Sequence, residues 1–367
     1  MSVFSHKHFA NHENVHFHHD KKSGLKAIVA VHNTNLGPAL GGCRMFPYAT
    51  DEDALSDVLK LSRGMSYKSA MANLTLGGGK SVIIGDPKIH KTPFLLHAMG
   101  DFLQSLGGQY IAAEDSGTSV PDLQEMGNKT AYVAGILNKV DISGNTINGD
   151  PSPATAYGVY IGIKTAVAFK YQSNLEGVRI AIQGLGNVGM YLAQHLYDAG
   201  ALLTVCDLDE GKLNMAKLRW KANVVRPNEI FSCDVDVFAP CAMGGAINDD
   251  SLAVMKAKII AGAANNQLAE VRHDQTVRNK GILYAPDYVI NAGGIIDVSY
   301  EGPDYSAAIA RKHIESISDT LNEVFERSKQ TGMPTKLLAN QISEERMSFT
   351  NTTKFKKIEG GLQRAVS

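Results

Sequence analysis

The chain has 367 residues, 36 of them lysine or arginine and 37 aspartate or glutamate, for a formal net charge of -1. That length predicts two domains, each able to bury its own core, and the charge balance gives no reason to expect nucleic acid or an anionic membrane as a partner. No apolar run reaches membrane-spanning length and the polar first twenty residues do not read as a signal peptide, so a cytoplasmic protein is expected.

Those twenty residues hold six histidines: His6, His8, His12, His16, His18 and His19. No cysteine accompanies them, and Val15, Phe17 and the run Gly24 to His32 read as neighbouring strands. The histidines are therefore expected on a wet strand face rather than around a metal. Cys43, Cys206, Cys233 and Cys241 show no C-x-x-C spacing and read as reduced thiols, with no disulfide and no metal site. The stretch Leu36 to Arg44 reads as a glycine-rich turn that lets something come close to backbone. A helix starts at Thr50, with Asp53 three residues on, and carries Ala54, Leu55, Val58 and Leu59 on one face. Its far end delivers Lys68.

Leu76 to Pro87, Leu-Gly-Gly-Gly-Lys-Ser-Val-Ile-Ile-Gly-Asp-Pro, places Lys80 between three residues without side chains and a short buried strand over Ser81 to Ile84. Desolvation and a nearby positive charge both disfavour an ammonium ion, which is how a lysine becomes a general base near neutral pH. A lysine snorkelling out of a glycine turn has the same local sequence. A phosphate loop is excluded, because Leu74 stands where its first glycine belongs and a strand follows instead of a helix. Thr92-Pro93 then caps a second helix that stops at Gly107-Gly108. Gln109 to Ala113 is a strand ending in Glu114-Asp115, where an acidic residue serves as a helix cap or as a site residue.

Val140 to Pro153 turns loop-like and is the best linker candidate. Ser152-Pro153 starts a long helix to about Phe169, and the strand Val178 to Ile182 runs into Gly184-Leu-Gly186-Asn-Val-Gly189. This G-x-G-x-x-G has a strand before it, a helix after it, a second strand Leu202 to Cys206 and Asp207 at that strand's end, which together predict dinucleotide binding. The pyrophosphate would meet the helix N-terminus. Asp207 would accept from the ribose hydroxyls and repel a 2'-phosphate, which favours NAD over NADP. Strands at Val235 to Ala239, Ile259 to Ala261 and Ile282 to Tyr284 continue the pattern. From Tyr305 onward the chain reads as helical, with a final helix from about Lys336 burying Leu337 and Leu338.

Several blocks, taken in order, resemble the amino acid dehydrogenase family that includes the glutamate, leucine, phenylalanine and valine dehydrogenases. They are Gly37-Pro-Ala-Leu-Gly-Gly42, Gly64-Met-Ser-Tyr-Lys68, Leu76 to Pro87, Ala113-Glu-Asp115, Pro151-Ser-Pro-Ala-Thr-Ala-Tyr-Gly158, Gln183 to Gly189, Asn266-Gln-Leu and Tyr284-Ala-Pro-Asp-Tyr-Val-Ile-Asn-Ala-Gly-Gly294. The stretch from Asn145 to Asp150 and the one after Asp297 depart from the family's pattern. The resemblance implies an α/β chain of two domains. Residues 1–140 would form a substrate and catalytic domain, 141–152 a hinge that lets a cleft close, 153–330 a Rossmann-type NAD domain, and 331–367 a helical segment packing back on the first domain.

The resemblance also implies the site. Lys80 and Asp115 would be catalytic, and Lys68 and Asn266 would hold the substrate carboxylate. Gly41, Gly42, Leu40, Ala113, Ile295 and Val298 would contact the rest of the substrate. Gln183, Gly184, Leu185, Gly186, Asn187, Val188, Gly189, Asp207 and Thr155 would hold NAD. The implied reaction is reversible oxidative deamination of a branched-chain or other apolar L-amino acid to a 2-oxo acid and ammonia, in a homo-oligomer. Phenylalanine or tryptophan is the alternative substrate. Glutamate fits less well, because Leu40 stands where the glutamate enzymes carry a lysine for the side-chain carboxylate. A sensor that binds dinucleotide without catalysis has no use for Lys68, Lys80 and Asp115 together.

Overall fold

Strand pairing in the first half of the chain sorts its side chains onto two sheet faces. The computed structural model describes residues 2–140 and 146–348. The expected linker residues 141–145 and the segment 349–367 lie outside the described residues. The chain divides into two compact units. One holds the described residues up to Asp150 together with Val298–Ala308 and those from Ser343; the other holds Pro151–Asp297 and Ile309–Ile342.

The first unit runs β1 (Asn14–Asp20), β2 (Leu25–Asn33), β3 (Ala39–Phe46), α1 (Asp51–Met71), β4 (Gly77–Ile84), α2 (Pro93–Ser105), β5 (Tyr110–Glu114) and α3 (Val120–Gly127), followed by the short pair β6 (Lys139–Val140) and β7 (Thr146–Ile147). Its sheet order is β1-β2-β4-β3-β5, with β1, β2 and β4 antiparallel in turn and β3 parallel to both β4 and β5. Thr50 caps α1 by accepting the Asp53 N–H, and three acidic residues in the first turn complement the helix dipole. Cross-strand partners share a face. Ala30 opposite Lys80, Arg44 opposite Val82 and Gly42 opposite Ala113 therefore place Lys80, Gly42, Arg44 and Ala113 on one side.

That side also carries Ile28, Ala30 and Val82, which pack on Ala54, Leu55, Val58 and Leu59 of α1. The other side is closed by α2 and α3 around Met45, Ile83, Tyr110 and Leu103. Each fully buried aliphatic side chain contributes about 1.5 to 3 kcal/mol, so α1 is firmly seated. Its approach is close because Gly78 has no side chain: a Cβ there would lie 1.9 Å from the Ser66 nitrogen.

Three local expectations change. The glycine-rich stretch 36–44 is mostly strand rather than turn, since Gly41 and Gly42 pair with Ala112 and Ala113. Strand β4 starts at Gly77 instead of Ser81, because α1 and Tyr110 press on its glycines. Two of the six N-terminal histidines, His6 and His12, also differ from a wet face, being buried, as is His32, whereas His16, His18 and His19 on β1 are partly or fully exposed. His12 Nε2 lies 3.0 Å from both Leu59 O and Ser62 Oγ, His32 Nδ1 lies 2.8 Å from Ser66 Oγ, and His6 Nε2 lies 3.1 Å from Ser56 Oγ. A stripe of serines on α1 supplies the partners. A carboxylate also ties the later segment to this unit: Glu301 accepts the backbone N–H of Gly135, and that of Leu137 at 2.5 Å.

The second unit runs α4 (Ser152–Tyr171), β8 (Arg179–Gln183), α5 (Asn187–Asp198), β9 (Leu202–Cys206), α6 (Glu210–Trp220), β10 (Asn223–Val224), β11 (Val237–Pro240), α7 (Asp249–Val254), β12 (Ile259–Ile260), α8 (Arg272–Asn279), β13 (Leu283–Tyr284), α9 (Asp287–Ile290) and α10 (Gly293–Ser299). Helices α11 (Ala307–Glu315), α12 (Ile317–Thr331) and α13 (Thr335–Ser348) follow. The six strands are all parallel in the order β10-β9-β8-β11-β12-β13. This is the doubly wound order, and its direction reverses between β8 and β11. In α13 Leu338 is buried as expected, whereas Leu337 is 44% exposed. Among the described residues no helix is long and apolar enough to cross a membrane.

Burial drives the His32 pKa down to about 4, with His12 and Arg63 adding to the effect. In the unfolded chain this imidazole protonates near pH 6.5, so its contribution is intact above that pH and is lost as pH falls toward 4. The full loss is about 3 kcal/mol. We expect His32→Gln to lose less stability than wild type between pH 7 and pH 4.5, as measured by denaturant midpoints at both pH values.

Candidate active site

Lys80 occupies the middle of β4, only 6% exposed. Its Nζ lies 2.5 Å from Asp115 Oδ2, just past the end of β5. Both sit over Gly42: a Cβ on that residue would come within 2.7 Å of the lysine nitrogen and of the Asp115 Cβ. Any other residue at this position would displace the pair. Burial raises the Asp115 pKa, but Lys80 and then Arg44 outweigh it and hold the carboxyl below its ordinary value.

Supports for this pair come from residues that the sequence did not single out. Strands β3 and β4 pair at Leu40 with Gly78 and again at Cys43 with Ser81. In the gap the buried Tyr110 hydroxyl lies 2.8 Å from Gly41 O and 3.1 Å from Gly42 O, with Ser81 Oγ 3.1 Å away. The Thr118 hydroxyl accepts the Asp115 N–H and donates to Cys43 O at 2.7 Å. Arg44 reaches Asp115 from β3. A Tyr-and-Ser pair flanking glycine strands is too common a pattern to have been read as a support in advance.

Leu40, Ala113 and Gly42 lie on the same face as Lys80 by register, with Gly41 between Leu40 and Gly42. Lys68 is half-buried in the last turn of α1. In the second unit, Asn266 adopts a left-handed backbone at φ 50° in the loop after β12, a conformation asparagine tolerates. Gln267, fully buried, fixes that loop by donating to Gly262 O and Ala264 O at 2.8 and 3.0 Å. Ile295 and Val298 both fall in α10. Thr155 in α4 donates to Pro151 O at 2.9 Å and lies against Gly294.

The glycine motif after β8 fits a dinucleotide. Gly184 has φ 99° with Ala242 close by, and a Cβ on Gly189 would meet Gly184 O at 2.1 Å, so α5 packs tightly on the turn. Nothing lies within 4 Å of a Cβ built on Gly186, which leaves its backbone open to a pyrophosphate at the N-terminus of α5. Gln183 ends β8, Leu185 lies in the turn, and Asn187 and Val188 open α5. Asp207 stands at the end of β9. Its Oδ2 accepts the Leu185 N–H at 2.5 Å and its Oδ1 the Asp209 N–H at 2.9 Å. Burial raises its pKa, but these N–H groups prevail and lower it, so it is a carboxylate. Elsewhere in this unit Asp249, Glu270 and His273 come together, but Arg272 ion-pairs with both carboxylates at 2.5 and 2.9 Å, so they do not await a cation.

A doubly wound sheet with an open glycine turn and a carboxylate at the end of its second strand defines a dinucleotide-binding protein. The chain belongs to the glutamate/leucine/phenylalanine/valine dehydrogenase family: the family's dimerisation-domain pattern matches residues 11–132, and its main dehydrogenase pattern matches 149–213 and 203–346. It is 47% identical over 362 residues to leucine dehydrogenase of Geobacillus stearothermophilus, covering 98% of this chain and 97% of that protein. It is 46% identical over 349 residues to L-tryptophan dehydrogenase of Nostoc punctiforme, covering 95% and 96%. The crystal structure of L-tryptophan dehydrogenase from Nostoc punctiforme matches with a TM-score of 0.81 at 44% identity, covering 93% of this chain and 97% of that one. The protein is an NAD-dependent amino acid dehydrogenase.

If the Asp207 carboxylate faces the adenosine ribose, its charge opposes a 2'-phosphate, and Asp207→Ser is expected to raise NADP use relative to NAD. The ratio of kcat/KM for the two cofactors measures it; a wild type that already prefers NADP removes Asp207 from the ribose role.

Proposed function

We propose that this chain oxidatively deaminates branched-chain L-amino acids, leucine, isoleucine and valine among them, and catalyses the reverse amination. The carrying observation is the buried Lys80–Asp115 pair at 2.5 Å in a chain of this family. Full-length identity to leucine dehydrogenases supports the aliphatic substrate. The tryptophan and phenylalanine enzymes among the relatives keep aromatic substrates as the second reading.

Bound NAD supplies the acceptor for the α-hydrogen, which leaves the substrate as an iminium ion. Lys80, as the free amine, takes a proton from water as the oxygen adds to the iminium carbon. The resulting carbinolamine needs a proton on nitrogen and loses one from oxygen. Asp115, in contact with Lys80, relays that proton, so ammonia leaves and the 2-oxo acid forms. Lys68 holds the substrate carboxylate in this proposal, which fixes the α-carbon for attack. Leu40, Ala113 and Val298 are all apolar. A charged substrate side chain against them would lose hydration without a partner, which rejects glutamate and aspartate.

We also propose a homo-oligomer formed through the first unit. The dimerisation-domain pattern covers residues 11–132, and β1 is an edge strand with Phe17 58% exposed.

Lys80→Ala is expected to abolish turnover while NADH binding, measured by fluorescence, stays intact. Retention of about a tenth or more of wild-type turnover, a barrier change of only roughly 1.4 kcal/mol, would remove Lys80 from the base role. For substrate choice, kcat/KM is expected to favour leucine over phenylalanine in the wild type. Ala113→Gly should move the ratio toward phenylalanine by freeing space at the strand end. A wild-type ratio below one replaces the aliphatic reading with the aromatic one, and an unchanged ratio in the variant removes Ala113 from the substrate contacts.

A further inference from the structure

Arg44 lies on β3 two residues after Gly42 and on the same sheet face as Lys80. Its Nε donates to Asp115 Oδ2 at 3.2 Å, the same oxygen that Lys80 Nζ approaches at 2.5 Å. Its Nη1 donates to Asp57 Oδ2 on α1 at 2.8 Å, and the Tyr48 hydroxyl donates to that oxygen at 2.6 Å. One guanidinium thus joins the Asp115 carboxylate to a second carboxylate that a tyrosine holds in place. We propose that Arg44, braced by Asp57 and Tyr48, is a positioning residue that keeps Asp115 a carboxylate, set against Lys80, while the lysine is in its free-amine form. The proposal rests on the assignment of Lys80 as base.

The reason lies in how charge changes through the cycle. A base lysine must spend part of each turnover uncharged, and in that interval Asp115 loses the cation beside it. Asp115 has a side chain only 20% exposed, and a carboxylate that buried beside a neutral amine would take up a proton and could no longer relay one. Arginine keeps its charge at every pH the enzyme meets. Arg44 therefore supplies the constant cation and Lys80 the one that comes and goes. Asp57 takes up another donor of the guanidinium, which keeps it from turning toward an incoming substrate carboxylate.

The other titratable groups around Asp115 do not replace it. Glu114, its chain neighbour, is acidic and is raised by burial and then by Asp150. Behind the sheet, burial pushes the Cys43 thiol up to about 12 and the Tyr110 hydroxyl well above its ordinary value, so both stay neutral. Tyr48 is likewise raised by burial and then by Asp57, and acts as a donor.

Isotope-edited infrared titration of ligand-free protein carrying 13C-aspartate reads Asp115 directly, with Asp115→Asn assigning its band. In Arg44→Gln the Asp115 carboxyl is expected to protonate about 1 to 3 pH units higher than in wild type. Arg44→Lys should return it toward the wild-type position. The acid limb of kcat/KM should move to higher pH in the glutamine form, while its NADH affinity stays unchanged. If the glutamine form does not fold, Arg44→Met keeps the packing of the side-chain stem and repeats the measurement. An Asp115 that titrates at the wild-type pH in either neutral variant, with NADH binding intact, overturns the proposal. The infrared readout needs no turnover, so failure of the deamination reading and failure of the Arg44 inference are separate results.

Discussion

Burying an ammonium group next to a carboxylate is costly unless geometry and further hydrogen bonds compensate, and the first unit is arranged to meet that condition. Lys80 can lie almost wholly inside because Gly42 beneath it has no side chain and Gly78 lets α1 close over the same sheet face. The apolar contacts of Ile28, Ala30 and Val82 with α1 hold that helix down. At the ladder gap between β3 and β4, Gly41 packs so closely on Gly79 that a Cβ would lie 1.9 Å from its carbonyl oxygen, and Tyr110 closes the gap from behind. Folding and the geometry of the Lys80–Asp115 pair therefore share the same residues in this unit.

Glycines do a different job in the second unit. At Gly184 the backbone turns through a positive φ, at Gly189 it allows α5 to touch the turn, and at Gly186 it stays open to solvent. Only the last leaves space for a ligand; the other two shape the turn that presents it. Asp207 is held in the same way, its two oxygens occupied by N–H groups of Leu185 and Asp209. Its orientation is thus set by backbone and does not rely on a ligand to order it.

Elements whose cause is local were legible in the sequence. Thr50 and Thr92 cap helices as their spacing predicts, and the strand, glycine turn and helix around Gly184 follow from adjacent residues. Elements whose cause is tertiary were not. Leu36 to Arg44 reads as a turn because glycine and proline dominate it, yet pairing with β4 and β5 makes most of it strand. His6 and His12 read as surface residues until the serine stripe of α1 is known to face them. Lys80 and Asp115 stand out as types, by resemblance, whereas Arg44, Asp57 and Tyr48 meet only once β3 lies beside α1.

The order of the polypeptide and the order of the compact units do not coincide. Chain leaves the first unit at Asp150, comes back for Val298–Ala308, departs again and rejoins it at Ser343. Glu301, carried on the middle visit, is the acceptor for the Gly135 and Leu137 N–H groups. A gene cut at the linker would yield an N-terminal fragment with both donors stripped of their acceptor, each a penalty of about 1 to 3 kcal/mol where water does not reach. Exchange of cofactor modules between members of this family by a single crossover is consequently disfavoured. A viable chimera has to carry the 298–308 stretch with the parent that supplies residues 1–150.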